Sequence, residues 1–162
     1  MRDFLVVATL FNGHALCGVD ESGKLHLPTF VTRTLQSMQD RDTLVIGRHE
    51  RDACLTGYPA SLAPRIHADL ERRRIAEEAV APDIHHMRSR RAFGLSEHVG
   101  IDGEGRLALP LFARRRAGID RLALIVGAGP VFEIWDPEQA RIADDAELRA
   151  LADWHLELQH AA

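Results

Sequence analysis

The sequence is poor in lysine, cysteine and aromatic residues, and each shortage narrows what the protein can be. Lys24 is the single lysine beside 19 arginines, a bias that genome composition explains more simply than selection for guanidinium chemistry. Two cysteines, Cys17 and Cys54, are too few for a disulfide framework or a zinc site, so we expect buried free thiols in a reducing cytoplasm. No apolar run approaches the ~18 residues that suggest a membrane span.

The composition is that of an ordinary globular protein. The 162 residues are 46% hydrophobic and 27% charged, which excludes wholesale disorder and predicts one domain or two half-domains. The formal net charge of −4 excludes a uniformly basic coat for nucleic acid but leaves room for a local basic patch.

Motifs for chemistry are also missing. No Ser/His/Asp or Cys/His grouping carries a supporting motif, and Gly127–Pro130 is typical of a hairpin turn rather than a phosphate loop. The adjacent His85 and His86 diverge on a helix and cannot easily chelate one ion. The sequence therefore predicts no enzyme activity, no cofactor, no metal and no small-molecule substrate.

The N-terminal segment 1–10 contains a short apolar run from Phe4 onward. It resembles a signal-peptide core, but Asp3 neutralises its flank and no small-residue cleavage site follows. We interpret it as an extra strand or an upstream start, and the protein as cytoplasmic.

An internal repeat is the most informative feature of the sequence. The pattern Asp-x-x-Gly-[Lys/Arg]-Leu-x-Leu-Pro begins at Asp20 and recurs, 82 residues later, at Asp102. Phe30 and Arg33 match Phe112 and Arg115 at the same offset. Two copies in one short chain indicate a duplication.

Each copy predicts a tight turn followed by a strand. Asp opens the turn by accepting backbone hydrogen bonds, and Gly23 or Gly105 supplies a positive φ. The alternation after Gly23 places Leu25 inward and both Lys24 and His26 outward. In the second copy, Arg106 faces outward in the same way.

Further patterns give each half a βαββ order. The predicted first strands are His14–Val19 and Glu97–Ile101, the short helices Pro28–Ser37 and Pro110–Ala117, and the hairpins Thr43–Arg48 with Ala53–Gly57 and Leu122–Val126 with Val131–Trp135. Helices are also predicted at Pro64–Val80, Ile84–Phe93 and Asp145–His160, the last with Leu148, Leu151, His155 and Leu158 on one face.

The expected organisation is therefore a β-rich α+β protein. Residues 1–10 form an extension, 11–63 the first half, 64–95 a helical connector, 96–140 the second half and 141–162 a C-terminal helix. Because neither half has enough strands to bury a core alone, we expect the two to interleave into one closed, pseudo-twofold barrel.

These motifs resemble those of the MraZ family, bacterial transcriptional regulators of the AbrB-like superfamily. The resemblance lies in Phe11-Asn12-Gly13, the two signatures, Ala117-Gly118, Val126-Gly127 and Phe132-Glu133-Ile134-Trp135-Asp136. It covers roughly Phe11–Asp153.

The resemblance implies a double-split, swapped-hairpin β-barrel built from two pseudo-symmetric halves and decorated by helices. It also implies a sequence-specific DNA-binding regulator, usually a repressor of the cell-division and cell-wall gene cluster. The expected partners are double-stranded promoter DNA with short direct repeats and further copies of the chain in a closed ring. The expected location is the cytoplasm, in association with the nucleoid.

The candidate DNA contacts are Lys24, His26, Arg33, Arg106 and Arg115, with Asp20, Gly23, Asp102 and Gly105 as turn residues. The signature cations could also be solvated turn charges, Arg106 could serve subunit assembly, and Arg33 and Arg115 could lie on solvated helix faces.

Two groups of arginines in the predicted helical connector have interpretations other than DNA contact. For Arg72-Arg73-Arg74, nearby acidic residues favour a salt-bridged helix or a subunit interface over a DNA contact. For Arg88, Arg90 and Arg91, contact and interface are equally open.

A second functional class stays open. The family commonly has a basic residue at the positions of Asn12 and Ser22, and arginine at the position of Lys24. Lysine keeps the charge but loses the bidentate fork. The alternative hypothesis is an oligomeric protein-interaction module on the same fold that has lost DNA affinity.

Overall fold

The computed structural model describes residues 10–77 and 82–162, so the predicted extension lies outside the described residues except for Leu10. The strands are β1 (His14–Gly18), β2 (Lys24–His26), β3 (Thr43–Arg48), β4 (Leu55–Pro59), β5 (Glu97–Gly100), β6 (Arg106–Ala108), β7 (Leu122–Ala128) and β8 (Val131–Trp135). The α-helices are α1 (Thr29–Gln36), α2 (Ala63–Ala76), α3 (Pro82–Ser89), α4 (Leu111–Arg116), α5 (Pro137–Ala140) and α6 (Ala146–Ala161). A 3-10 turn (Ala60–Leu62) precedes α2, and a π-helical turn (Arg90–Gly94) follows α3.

The mixed α+β class is confirmed, with small shifts at element ends. Each half runs ββαββ rather than βαββ, because the residues after each signature turn form a strand of their own, β2 or β6. Pro28 and Pro110 stand one residue before α1 and α4, in extended conformation, rather than inside the first turn. Gly118 follows α4 with a φ of 69°, the left-handed conformation in which glycine commonly ends a helix. Helix α2 ends at Ala76, and the rest of the predicted helix reaches residues 78–80, outside the described range.

The sheet pairs the two halves with each other. Six antiparallel strands lie in the order β1-β7-β8-β4-β3-β5. The first strand of each half therefore pairs with the third strand of the other half, β1 with β7 and β5 with β3, while β4 pairs with β8 at the centre. This pattern is the same when the halves are exchanged, so the topology has pseudo-twofold symmetry.

The sheet is not closed into a barrel, so the predicted swapped-hairpin barrel is not confirmed. Within residues 10–77 and 82–162, β1 and β5 are the sheet's two edges. Strands β2 and β6 lie outside the six-stranded sheet, because the Asp20 and Asp102 turns reverse the chain direction in each half. The two strands pair with each other as a separate two-stranded ribbon. A single isolated bridge, Ile101 to Leu107, links the regions on either side of the second turn.

The main core lies between the sheet and the ribbon. Leu25 and Leu107 of the ribbon belong to the same buried cluster as Ile46, Ile125 and Ile134 of the sheet. The short helices α1 and α4 complete this layer with Val31, Leu35, Ala113 and their neighbours. The ribbon is therefore fixed by its inner face and leaves its outer face to solvent.

The entry of the chain into the fold depends on a close backbone approach at Gly127. The Phe11 amide donates to the Gly129 carbonyl at 2.7 Å, and the Gly127 amide donates to the Gly13 carbonyl at 2.8 Å. A Cβ at Gly127 would lie well inside van der Waals contact with the Phe11 carbonyl. The Phe11 ring packs edge-to-face on Phe132 at 5.1 Å between centroids.

The C-terminal helix α6 packs with a face that only partly matches the predicted one, since Leu148 packs against the core and Leu158 does not. Asp145 caps it by accepting from the amides of Glu147 and Leu148 at 2.9 and 3.4 Å. Its buried residues are Ala152 and Leu156, whereas Leu158 is 50% exposed. The prediction for Leu158 is therefore wrong, because α6 packs on the sheet through the side of the helix that carries Ala152 and Leu156. Within the described residues, no helix is both long and apolar enough to cross a membrane.

Arg114 is bonded within the second half and lies beside the signature turn of the first. Its guanidinium Nε and Nη2 donate to the carbonyls of Ile119 and Asp120 at 3.1 and 3.0 Å, and its side chain is 15% exposed. A Cβ on Gly23 would lie 3.0 Å from Arg114 Nη1, so Gly23 leaves the space that the guanidinium occupies. The guanidinium therefore lies against the turn that precedes Lys24.

We expect Gly127→Ala to destabilise the protein by about 1–3 kcal/mol, because the new methyl group forces the Phe11 backbone to move. Gly100→Ala is the matched control, since no atom lies within 4 Å of a Cβ at that strand position. Chemical unfolding of both variants measures the difference. Equal stabilities would contradict the close approach.

We expect Arg114→Ala to lower the free energy of unfolding by about 1–3 kcal/mol, because two carbonyls lose their charged donor. The exposed neighbour Arg116 has no partner in the described part of the chain, so Arg116→Ala should stay within ~0.5 kcal/mol of the wild type. Thermal unfolding of the pair tests this, and a larger loss in Arg116→Ala would overturn the assignment.

Candidate nucleic-acid interface

Three predicted contact residues share one face of the ribbon. In the antiparallel register, Lys24 lies opposite Ala108, Leu25 opposite Leu107, and His26 opposite Arg106. Leu25 and Leu107 point into the core at 2% and 1% exposure. Because side chains alternate along a strand, Lys24, His26 and Arg106 lie together on the outer face.

The first signature turn is held by one carboxylate. Asp20 Oδ1 accepts from the Ser22 amide at 2.9 Å, the Ser22 hydroxyl at 2.7 Å and the Lys24 amide at 2.9 Å. These bonds, the Ser22 hydroxyl first among them, lower the pKa of Asp20. Gly23 completes the turn with a φ of 85°. The carboxylate thereby fixes the backbone from which Lys24 projects.

The second turn repeats this geometry. Asp102 Oδ1 accepts from the amides of Glu104 and Arg106, both at 2.9 Å. The Arg106 amide is the main reason that the pKa of Asp102 is lowered. Gly105 has a φ of 76° and so takes the place of Gly23. The two turns are alike in backbone down to individual hydrogen bonds.

The two cations differ in what surrounds them. Arg106 donates through Nε to Asp102 at 3.1 Å, and its Nη2 lies 3.0 Å from a Glu104 carboxylate oxygen. Lys24 forms no ion pair in the described part of the chain, and its charge acts on Asp20 only as a weak contribution to the lowered pKa. The two turns differ at two relevant positions, since Lys24 corresponds to Arg106 and Ser22 corresponds to Glu104.

Arg33 and Arg115 are not on the ribbon. They are exposed on α1 and α4, the helices that follow β2 and β6. They occupy equivalent positions in the two halves. The structure therefore assembles Lys24, His26 and Arg106 and leaves Arg33 and Arg115 on neighbouring elements.

The arginine run of α2 is engaged in ion pairs. Arg72 pairs with Asp69, Arg74 with Glu71 at 3.0 Å, and Arg73 Nη1 with both Glu50 oxygens at 2.8 Å. A salt-bridged helix was one of the two interpretations favoured from the sequence. These exposed pairs contribute little stability each, but they occupy the charges that a DNA backbone would need.

Sequence reasoning did not single out the group formed by His49, Asp52 and Glu133. His49 Nδ1 accepts from the amides of Arg51 and Asp52 at 3.1 and 3.0 Å, and its Nε2 lies 3.9 Å from Glu133. The ring therefore closes the loop between β3 and β4, with its metal-binding lone pair already used. Glu133 is far away in sequence, so no spacing pattern could reveal the group.

The two thiols are poor nucleophiles in this environment. Burial raises the pKa of Cys17 to about 11, and burial together with the Glu133 carboxylate raises the pKa of Cys54 further. Cys54 is 1% exposed, as predicted, whereas Cys17 is only partly buried.

Comparison with known proteins identifies the family. The model described as MraZ protein matches residues 92–143, which include the second signature. A transcriptional regulator MraZ of Saccharophagus degradans is 30% identical over 141 residues, 83% of this chain and 89% of that protein. Proteins of the same name from Stenotrophomonas maltophilia and Thioalkalivibrio sulfidiphilus are each 27% identical, over 82% and 94% of this chain and 86% and 93% of their own lengths. The chain therefore belongs to the MraZ family.

Proposed function

We propose that this protein is a sequence-specific DNA-binding regulator of transcription whose contact surface is the outer face of the β2–β6 ribbon. The observation that carries the proposal is the meeting of Lys24, His26 and Arg106 on that face. The family relatives, which are named transcriptional regulators, support the same role.

Electrostatics favour Lys24 as the leading contact. Binding to DNA depends on cations that can neutralise phosphates, and the chain as a whole carries a net charge of −4. Lys24 is exposed and no carboxylate in residues 10–77 or 82–162 forms an ion pair with it. A DNA phosphate can therefore pair with the ammonium without displacing a protein partner.

Arg106 is a weaker contact in this proposal. Asp102 and Glu104 already hold its guanidinium, so a phosphate must compete with two carboxylates for it. Residues diagonally opposite in an antiparallel pair lie about 7–8 Å apart, which puts Arg106 within one ligand's reach of Lys24. His26 lies directly across from Arg106 and adds a hydrogen-bonding ring. Arg33 and Arg115 would extend the contact along the phosphate backbone.

The finer parts of the proposal follow the family resemblance. We propose a repressor of a cell-division and cell-wall gene cluster, bound at short direct repeats in promoter DNA in the nucleoid. In this arrangement the halves at residues 11–63 and 96–140 are the two swapped-hairpin units, residues 64–95 connect them and residues 141–162 form the closing helix.

One observation favours the alternative, a protein-interaction module that has lost DNA affinity. The second signature has its cation neutralised by Glu104, so half of the duplicated edge presents little free charge. Under this alternative, DNA from the chain's own promoter would bind no better than unrelated DNA of equal length.

We expect Lys24→Ala to weaken binding to the DNA upstream of the chain's own gene. The slope of log affinity against log salt concentration should fall in magnitude by about one for each subunit that touches the DNA. Lys24→Arg should tighten binding because the guanidinium adds a bidentate option. Glu104→Ser should also tighten it, since the substitution releases Arg106 Nη2 and removes a negative charge. Fluorescence anisotropy at two salt concentrations measures all three.

Arg65→Ala is the matched control, because Arg65 is exposed on α2 away from the ribbon. An exposed change of this kind should alter stability by less than ~0.5 kcal/mol, so melting temperatures should coincide across the series. Identical titrations for wild type and Lys24→Ala would remove Lys24 from the interface and favour the interaction module.

We also propose that the protein assembles with copies of itself into a closed ring. Phe112 corresponds to Phe30 at the repeat offset, but Phe30 packs against Gly13 whereas Phe112 is 57% exposed. Leu111 beside it is 59% exposed, and Trp154 of α6 is 50% exposed. A soluble monomer rarely leaves such large apolar side chains uncovered, so a second copy is their natural cover.

Light scattering coupled to size-exclusion chromatography should give a mass several times that of the chain at micromolar concentration. Phe112→Glu should shift the particle toward smaller masses, because it places a charge in the apolar contact. Arg65→Glu, at an exposed position on α2, is the control for a surface charge change elsewhere. A stable wild-type monomer would contradict the assembly.

A further inference from the structure

A cavity of about 520 Å³ lies between the end of the β3–β4 hairpin, helix α2, helix α3 and the π-helical turn. Its volume falls in the range of about 300–1,000 Å³ that small-molecule sites occupy. None of the residues that line it belongs to the β2–β6 ribbon. It is therefore a feature separate from the proposed DNA contact.

The inner part of the cavity is apolar. Tyr58 and Leu70 line it at 5% and 8% exposure, and Ile66, Ile84 and Met87 lie around them. Ile84 and Met87 are 37% and 39% exposed, so part of this apolar surface is open to a ligand. Such a lining favours an acyl chain or an aromatic ring over a fully solvated ion.

The charged residues of the lining are mostly cationic. Two carboxylates, Glu50 and Asp69, face five arginines, namely Arg48, Arg51, Arg73, Arg88 and Arg91. The excess is notable because the chain as a whole is acidic, with a net charge of −4.

The two lining carboxylates are already occupied. Glu50 pairs with Arg73 at 2.8 Å, and that guanidinium is the main reason its pKa is lowered. Asp69 pairs with Arg72, which does not line the cavity. Arg88 is held by Glu77 at 2.7 Å. In the described part of the chain, Arg48 and Arg91 have neither a side-chain hydrogen bond nor an ion pair.

We propose that this cavity binds one small amphipathic anion, with a carboxylate head at Arg48 and Arg91 and an apolar tail against Leu70 and Met87. An uncharged ligand would desolvate these arginines without a partner, which costs free energy, and a cation would add repulsion. A carboxylate gives the guanidinium groups charge-assisted hydrogen bonds, and the tail covers the open apolar surface.

Decanoate is the probe that tests the proposal on the full chain. We expect calorimetric titration to show one decanoate per chain, with methyl NMR shifts at Met87, Ile84 and Ile66. Acetate, which has the head without the tail, should not bind measurably. Decyltrimethylammonium, which has the tail with the opposite charge, should bind at least roughly tenfold more weakly.

Arg48→Gln combined with Arg91→Gln should weaken decanoate binding by roughly a hundredfold, since each of the two charged hydrogen bonds contributes about a factor of ten. Arg65→Gln is the control, because Arg65 lies on α2 but does not line the cavity. Equal affinities for the double variant and the control would overturn the proposal. Equal binding of decyltrimethylammonium, or NMR shifts confined to exposed methyl groups such as those of Leu111, would also overturn it. The proposal would fail as well if decanoate did not bind because a second copy of the chain fills the cavity at every dilution.

Discussion

The pairing of Leu25 with Leu107 is the constraint on which the proposed interface depends. Each ribbon strand has only three residues, and a two-stranded ribbon is marginal by itself in water. This ribbon is held because both leucines join the core beneath the six-stranded sheet. Their burial sets the register, and the register sends Lys24, His26 and Arg106 outward. A slip of one residue would bury the cations and expose the leucines, so packing below the ribbon determines the charge above it.

The duplicated halves keep the same backbone and differ in side chains at a few positions. The Asp20 and Asp102 turns match in their hydrogen bonds, yet Lys24 forms no ion pair within residues 10–77 and 82–162 while Asp102 and Glu104 both pair with Arg106. The following helices differ in the same sense, because Phe30 is packed on Gly13 and Phe112 is left exposed. The two halves thus share a fold but differ in surface. Within the described residues, the signature cation without an ion pair belongs to the first half, and the exposed phenylalanine belongs to the second. This division favours DNA contact through the first copy and assembly through the second.

Local features of this protein could be predicted from its sequence, and long-range ones could not. The signature turns and the outward position of Lys24 depend on residues within a few positions of each other. The open sheet depends on which of several distant strands meet, and each predicted hairpin is equally compatible with a closed barrel. The reach of Arg114 to the Ile119 and Asp120 carbonyls needs the conformation of the loop after α4. Glu104, two residues before Arg106, was a visible signal, but its effect depends on how the turn aims the two side chains.

The distribution of ion pairs explains how an acidic chain keeps cationic surfaces. Where carboxylates lie beside arginines on one helix, as along α2, the charges cancel locally. Positive charge survives where the nearby carboxylates are already bonded elsewhere. Asp20 is bonded to backbone amides and Glu50 to Arg73, and among the residues that the structure describes neither Lys24 nor Arg48 forms an ion pair. Both cationic sites thus arise from carboxylates whose bonding capacity is used by the fold. Net charge from composition cannot reveal such sites, because it counts these carboxylates as if they were available.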